Sequence, residues 1–70
     1  MAFKTKEFNV TAEKVAEMMR RGTNFNVTPD KVVKVGKDPR MTVYAAQVDD
    51  VTIFCLARMD GRFIVKYTSW

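Results

Sequence analysis

The strongest constraint on the fold is Asp60-Gly61, which lies between two runs rich in β-branched and aromatic residues near the carboxyl end of the chain. Asp-Gly in this setting is the strongest short-range signal for a β-hairpin, because a two-residue type I′ turn requires positive φ at both positions. The pair therefore predicts two antiparallel strands, 51–59 and 62–70. A two-residue turn also fixes their register, so that residue 59 faces 62, 57 faces 64, 55 faces 66 and 53 faces 68.

In this register the hairpin is apolar on both faces. The face with the larger side chains is predicted to pack against the rest of the chain: Phe54, Leu56, Phe63, Val65 and Tyr67. The second face carries smaller apolar groups interrupted by two charges: Val51, Ile53, Cys55, Ala57, Met59, Ile64 and Trp70, with Arg62 and Lys66. A chain of 70 residues can usually cover only one face of a sheet, so the second face is predicted to be open to a partner. The alternative is that the second helix or the amino-terminal segment folds over it.

A further strand is predicted over 41–48, immediately before the hairpin. Asp49-Asp50 stands where a turn is needed, although it is a weaker turn signal than Asp-Gly. A two-residue turn there would place Val43 and Ala45 on the Phe54 face, and Tyr44, Ala46 and Val48 on the Ile53 face. The expected sheet is thus a three-stranded antiparallel meander, 41–48, 51–59 and 62–70, to which residues 3–8 could add a short edge strand.

One helix-start motif occurs twice, as Phe8-Asn-Val-Thr-Ala-Glu-Lys-Val-Ala16 and Phe25-Asn-Val-Thr-Pro-Asp-Lys-Val-Val33. In each copy a threonine can cap the first turn, a valine on either side of it forms a hydrophobic staple, and an acid complements the helix dipole. The first copy predicts a helix over 12–21, ended by Gly22. The second predicts a short helix over 29–35, although its valines favour a strand. The expected fold is a single α+β domain spanning residues 1–70.

Composition argues against most catalytic and metal chemistry. The chain has no histidine and a single cysteine, Cys55, so the commonest general base, a zinc cluster and an internal disulfide are all missing. No glycine-rich phosphate loop occurs, and Asp49 and Asp50 lack a third carboxylate nearby. We therefore expect no enzyme activity, no cofactor, no metal and no small-molecule substrate. The absence of an apolar signal or membrane-spanning run predicts a cytoplasmic protein without membrane contact.

The leading functional hypothesis is a small non-catalytic binding protein, an inhibitor, adaptor or regulator that docks on another macromolecule, foremost a protein. Its size and basic composition are shared with phage and mobile-element regulators, an analogy of size and composition alone. Aromatic, methionine and arginine side chains are enriched at interfaces. The residues predicted to contact the partner are Tyr44, Ile53, Met59, Arg62, Ile64, Lys66 and Trp70.

Two alternatives stay open. The net charge is +4, and basic residues recur at every third position from Lys31 to Arg40. Such a ridge could meet the phosphates of a nucleic acid. Its members would be Arg20, Arg21, Lys31, Lys34, Lys37 and Arg40. The other alternative is a homodimer built through the second face of the sheet.

Overall fold

The structure, a computed structural model, describes residues 10–69, and of Asp38 only the backbone. The chain forms helix α1 (Ala12–Thr23), a 3₁₀ turn (Pro29–Lys31) and four strands: β1 (Val33–Asp38), β2 (Met41–Val48), β3 (Val51–Arg58) and β4 (Phe63–Ser69). The strands form one antiparallel sheet in the order β1-β2-β3-β4. The α+β class is confirmed. The expected edge strand over 3–8 and the side chain of Trp70 lie outside the described residues.

Helix α1 begins where the sequence predicts it. The Thr11 side-chain oxygen accepts a hydrogen bond from the backbone N–H of Lys14 at 3.1 Å. The helix runs past the expected end at residue 21 and is capped by Asn24 in the left-handed region, whose N–H bonds to the Arg20 carbonyl. Gly22, expected to end the helix, lies within it and faces β4, where the absence of a side chain permits close packing.

The second predicted helix, over 29–35, is wrong. Only one 3₁₀ turn forms after Thr28, and the side chain of Thr28 makes no capping hydrogen bond. The chain then extends into β1, which pairs with β2 and adds the strand that the three-stranded prediction lacked. β-branched side chains at positions 32, 33 and 35 explain the outcome, since they lose less side-chain freedom in a strand than in a helix. A β-bulge interrupts the pairing between Lys34 and Gly36.

The turn between β2 and β3 follows the prediction. Val48 pairs with Val51, which leaves Asp49-Asp50 as a two-residue loop, and Asp49 takes a positive φ of 55°. Aspartate tolerates this left-handed conformation better than most residues. The expected division of β2 side chains between the two faces is therefore confirmed.

The closing hairpin differs from the prediction in the length of its loop. The N–H of Gly61 bonds to the carbonyl of Arg58 at 3.0 Å, and the N–H of Arg58 bonds to the carbonyl of Arg62 at 2.9 Å. Gly61 has a φ of 91°. This is the pattern of a three-residue loop over 59–61, in which a type I turn is followed by a left-handed glycine. Residue 57 consequently pairs with 63 instead of 64, and the expected two-residue turn is wrong.

A shift of one residue moves every β4 side chain to the other face of the sheet. Phe63, Val65 and Tyr67 thus share a face with β3 residues Ile53, Cys55 and Ala57. Helix α1 packs against this face, so the predicted choice of the core face is also wrong. The fully or almost fully buried core residues are Val15, Ala16, Met19, Val27, Ala46, Ile53, Cys55 and Ala57. Among the described residues, no helix is long and apolar enough to cross a membrane.

Candidate functional site

The sheet face turned away from α1, here called the open face, carries two adjacent rows of mainly apolar side chains. The strand register aligns Val43, Leu56 and Ile64 in one row, and Val33, Ala45, Phe54 and Lys66 in the next. Val33 is 54% exposed and Ile64 38% exposed, whereas their central neighbours are half-buried or buried. The two rows form one continuous apolar band across all four strands.

Polar or charged residues border this band at both ends of the sheet. Gln47, Thr52 and Thr68 form the row beyond Phe54, and Arg58 lies beyond Leu56 in the row that starts the closing hairpin. An apolar centre with a polar rim is the common anatomy of protein–protein interfaces. The arrangement arises because the described chain supplies one helix, which covers only the opposite face of the sheet.

The open face carries one paired cation at its rim and a second cation within the band. Arg58 forms an ion pair with Asp60 in the hairpin loop, with Nη2 and Oδ2 3.0 Å apart. The Asp60 pKa is lowered, first by the hydrogen bond that its carboxylate accepts from the backbone N–H of Arg62 and then by Arg58. Lys66 stands within the band and makes no ion pair with any described residue. The face therefore offers a cation beside apolar surface.

A shallow depression of about 260 Å³ extends the band toward the start of β1. It is lined by Lys31, Val33, Ala45, Ala46, Gln47 and Thr52. Its volume falls below that of typical small-molecule pockets, which hold roughly 300–1,000 Å³. It is therefore better described as a recess in a docking face than as a substrate site.

The residues predicted to contact a partner are not brought together. Ile53 is fully buried in the core, and Tyr44 lies half-buried on the helix side, where burial raises the pKa of its hydroxyl. Met59 is the first residue of the hairpin loop and Arg62 directly follows the loop, and Met59 is 57% exposed. Of the predicted set, Ile64 and Lys66 lie on the open face. Trp70 lies outside the described residues.

Sequence reasoning did not predict four apolar residues of the open face: Val33, Val43, Phe54 and Leu56. The bulk of Phe54 and Leu56 suggested a core position, the predicted register put Val43 beside them, and Val33 was assigned to the second helix. The informative signal was instead the small side chains of Ala46, Cys55 and Ala57, which alternate on the opposite face and let a helix approach the sheet closely. Gly22 on α1 has no side chain at all, and it likewise lets the helix approach this face of the sheet closely.

Cys55 is the one cysteine of the chain, and it belongs to the core. Its thiol is buried, and that burial raises its pKa to about 11. A thiol with this pKa holds very little thiolate at neutral pH, so it behaves as a small apolar group. Within residues 10–69, no three histidine, cysteine, aspartate or glutamate side chains gather where they could hold a metal ion.

The six predicted basic residues are also dispersed. Lys34 and Lys37 lie on β1, Lys31 lies in the 3₁₀ turn before it, and Arg40 occupies the turn after it. Arg21 forms an exposed ion pair with Glu17, with Nη2 and Oε2 3.1 Å apart. The Nη1 of Arg20 donates to the carbonyl of Val27 at 2.7 Å.

No known family model, no curated protein and no solved structure matches this chain.

Proposed function

We propose that this chain is a small non-catalytic binding protein that docks through its open face on a protein partner with an apolar, acid-bordered surface. The observation that carries the proposal is the continuous apolar band of the open face. An inhibitor, an adaptor and a regulator all act through such a contact.

The shape and the polar border of the band fit a protein partner. Four strands about 4.8 Å apart give a width of roughly 15 Å, and two rows of alternate residues, about 6.6 Å apart along the strands, give a length of roughly 13 Å. Contiguous apolar patches rimmed by polar residues often mark binding sites. Phe54 and Leu56 lie on β3, an inner strand of the sheet, and Ile64 lies beside Leu56 on the edge strand β4, where its greater exposure makes it accessible to a partner.

Charge favours an acidic partner over a second copy of the chain. Asp60 balances the charge of Arg58, whereas Lys66 within the band makes no ion pair with a described residue. Two copies packed face to face would bury both Lys66 ammonium groups in one apolar contact, and each copy also carries a net charge of +4. An acidic rim on a different protein would attract the same groups and accelerate association.

Capture from the native host with the 70-residue chain as bait provides the partner for a quantitative test. We expect Ile64→Asp to weaken binding of the purified partner roughly 30-fold, corresponding to the loss of an interface hot spot of about 2 kcal/mol. Met59→Asp is the matched control, because Met59 is also exposed but lies in the hairpin loop outside the band. It should change the affinity by less than about threefold. Titration calorimetry measures both and should give a negative heat-capacity change.

Two results would contradict this function. In the first, both variants bind the partner as tightly as the parent chain. In the second, sedimentation shows the 8.1 kDa chain dimerising with concentration and Ile64→Asp abolishing the dimer. That result would assign the open face to a second copy.

A further inference from the structure

The helix-covered side of the sheet has a second surface, which does not involve the open face. Helix α1 lies toward β4: the Lys14 ammonium is 6.0 Å from the centre of the Phe63 ring, and Gly22 is in close contact with Val65. The helix makes most of its sheet contacts with β4 and β3. On the same side of the sheet Ala46 of β2 is buried, whereas Lys34 and Lys37 of β1 are exposed and their β2 partners Tyr44 and Thr42 are half-buried. These four residues are here called the basic shelf.

Two lysines mark the outer edge of the basic shelf. The register places Lys34 opposite Tyr44 and Lys37 opposite Thr42, and the bulge between Lys34 and Gly36 keeps both lysines on the helix side. Three residues of extended chain separate them by about 10 Å. Both are exposed, and neither makes an ion pair with a described residue.

Arg20 borders the shelf from the helix. At about 100° per residue, Arg20 lies roughly 160° around α1 from Gly22, and therefore on the flank turned away from β4. Its guanidinium is held by the Val27 carbonyl, which uses one of its five N–H donors and leaves the others to a ligand. Glu13 lies on the same flank nearly two turns earlier, so the positive potential is concentrated toward the carboxyl end of the helix.

We propose that the basic shelf binds the phosphate backbone of a nucleic acid. Lys34 and Lys37 stand about 10 Å apart along one strand, and Arg20 adds an exposed cation on the helix above the same side of the sheet. Phosphates occur in a regular row, at about 3.4 Å of helix axis per strand in duplex DNA, so one backbone can meet both lysines and continue toward Arg20. The contact reads no bases and is independent of sequence. Since the open face lies on the other side of the sheet, both surfaces can be occupied at once.

Fluorescence anisotropy with fluorescein-labelled 16-nucleotide DNA of mixed sequence, single-stranded and duplex, tests this site between 25 and 200 mM KCl. Three phosphate contacts predict a slope of log affinity against log salt of about −2 for the single strand and −3 for the duplex. We expect the double variant Lys34→Gln/Lys37→Gln to weaken binding at least tenfold at about 25 mM salt and to reduce the slope by about 1.5–2. The two DNA forms show which backbone geometry the shelf prefers.

Lys14→Gln/Lys66→Gln is the matched control. It removes the same charge from the β4 side of the helix and from the open face, and it should change affinity by less than about twofold. Equal weakening by both double variants would show that net charge alone attracts DNA, and would overturn the site. Undetectable binding of the parent chain at 25 mM salt would also overturn it.

Ile64→Asp should leave DNA binding intact, which separates this site from the docking face. Circular dichroism verifies that each variant is folded.

Discussion

Gly22 shows how one residue sets the distance between the helix and the sheet. A Cβ atom built at Gly22 would lie 3.0 Å from both Cβ and Cγ1 of Val65. Glycine inside a helix normally costs about 1 kcal/mol relative to alanine. Its presence here is explained by packing, because any side chain would push α1 away from β4.

Gly22→Ala should therefore destabilise the protein in spite of its better helix propensity. Overpacking typically costs about 1–3 kcal/mol, which exceeds the gain in propensity and leaves a net loss of about 1 kcal/mol. Gly36→Ala is the matched control, since its Cβ would lie 3.8 Å from the nearest Val43 atom, an ordinary contact. Urea denaturation measures both variants. Stabilisation by Gly22→Ala would mean that the helix has room to accept a methyl group.

At the scale of elements, the repeated helix-start motif gives two different structures. Thr11 caps a helix of three turns, whereas Thr28 precedes a single 3₁₀ turn. The capping signal is nearly identical in both copies, so the residues that follow it decide the outcome. Alanine, glutamate and methionine continue the first copy, and valines that pair with β2 continue the second. Local patterns thus predicted where elements start, but not how far tertiary pairing would extend them.

The closing hairpin explains why the α+β class could be predicted while the site could not. Asp-Gly is compatible with a two-residue loop and with a three-residue loop whose last residue is the glycine, since Gly61 has a positive φ in either case. The two loops differ by one residue in register, which reverses the faces of β4. Ile64 and Lys66 were thus predicted beside Ile53, and the structure places them beside Leu56 and Phe54.

The three-residue loop leads to a prediction for substitutions of Gly61. A Cβ at Gly61 would meet no atom within 4 Å, so the effect of a substitution reports the backbone alone. Gly61→Ala should destabilise the protein by about 1–2 kcal/mol, the cost of the left-handed region for a residue with a side chain. Gly61→Asn should cost less, because asparagine tolerates this conformation. Equal stability of Gly61→Ala and the parent chain in urea would contradict the positive φ at this position.

At the scale of the whole molecule, the two faces of the sheet differ in what covers them. Its helix side provides the core, centred on Ile53 and Cys55, and its open side presents Phe54, Leu56 and Ile64. The one helix of residues 10–69 covers only the core side, and a domain of this size gains little stability beyond one core. Substitutions on the helix side should therefore lower the stability of the fold, whereas substitutions on the open side should mainly weaken binding to a partner.

Ile53→Ala and Ile64→Ala remove the same atoms from opposite faces and form a matched pair. Ile53 is fully buried, so its truncation leaves a cavity and should cost about 2–5 kcal/mol, most of the stability of a domain this small. Ile64 is partly exposed, so its truncation leaves no closed cavity and should cost less than about 1.5 kcal/mol. Urea denaturation at low protein concentration measures both. A loss at Ile64 as large as the loss at Ile53 would mean that the open face is covered in the free chain, and docking would then have to displace whatever covers it.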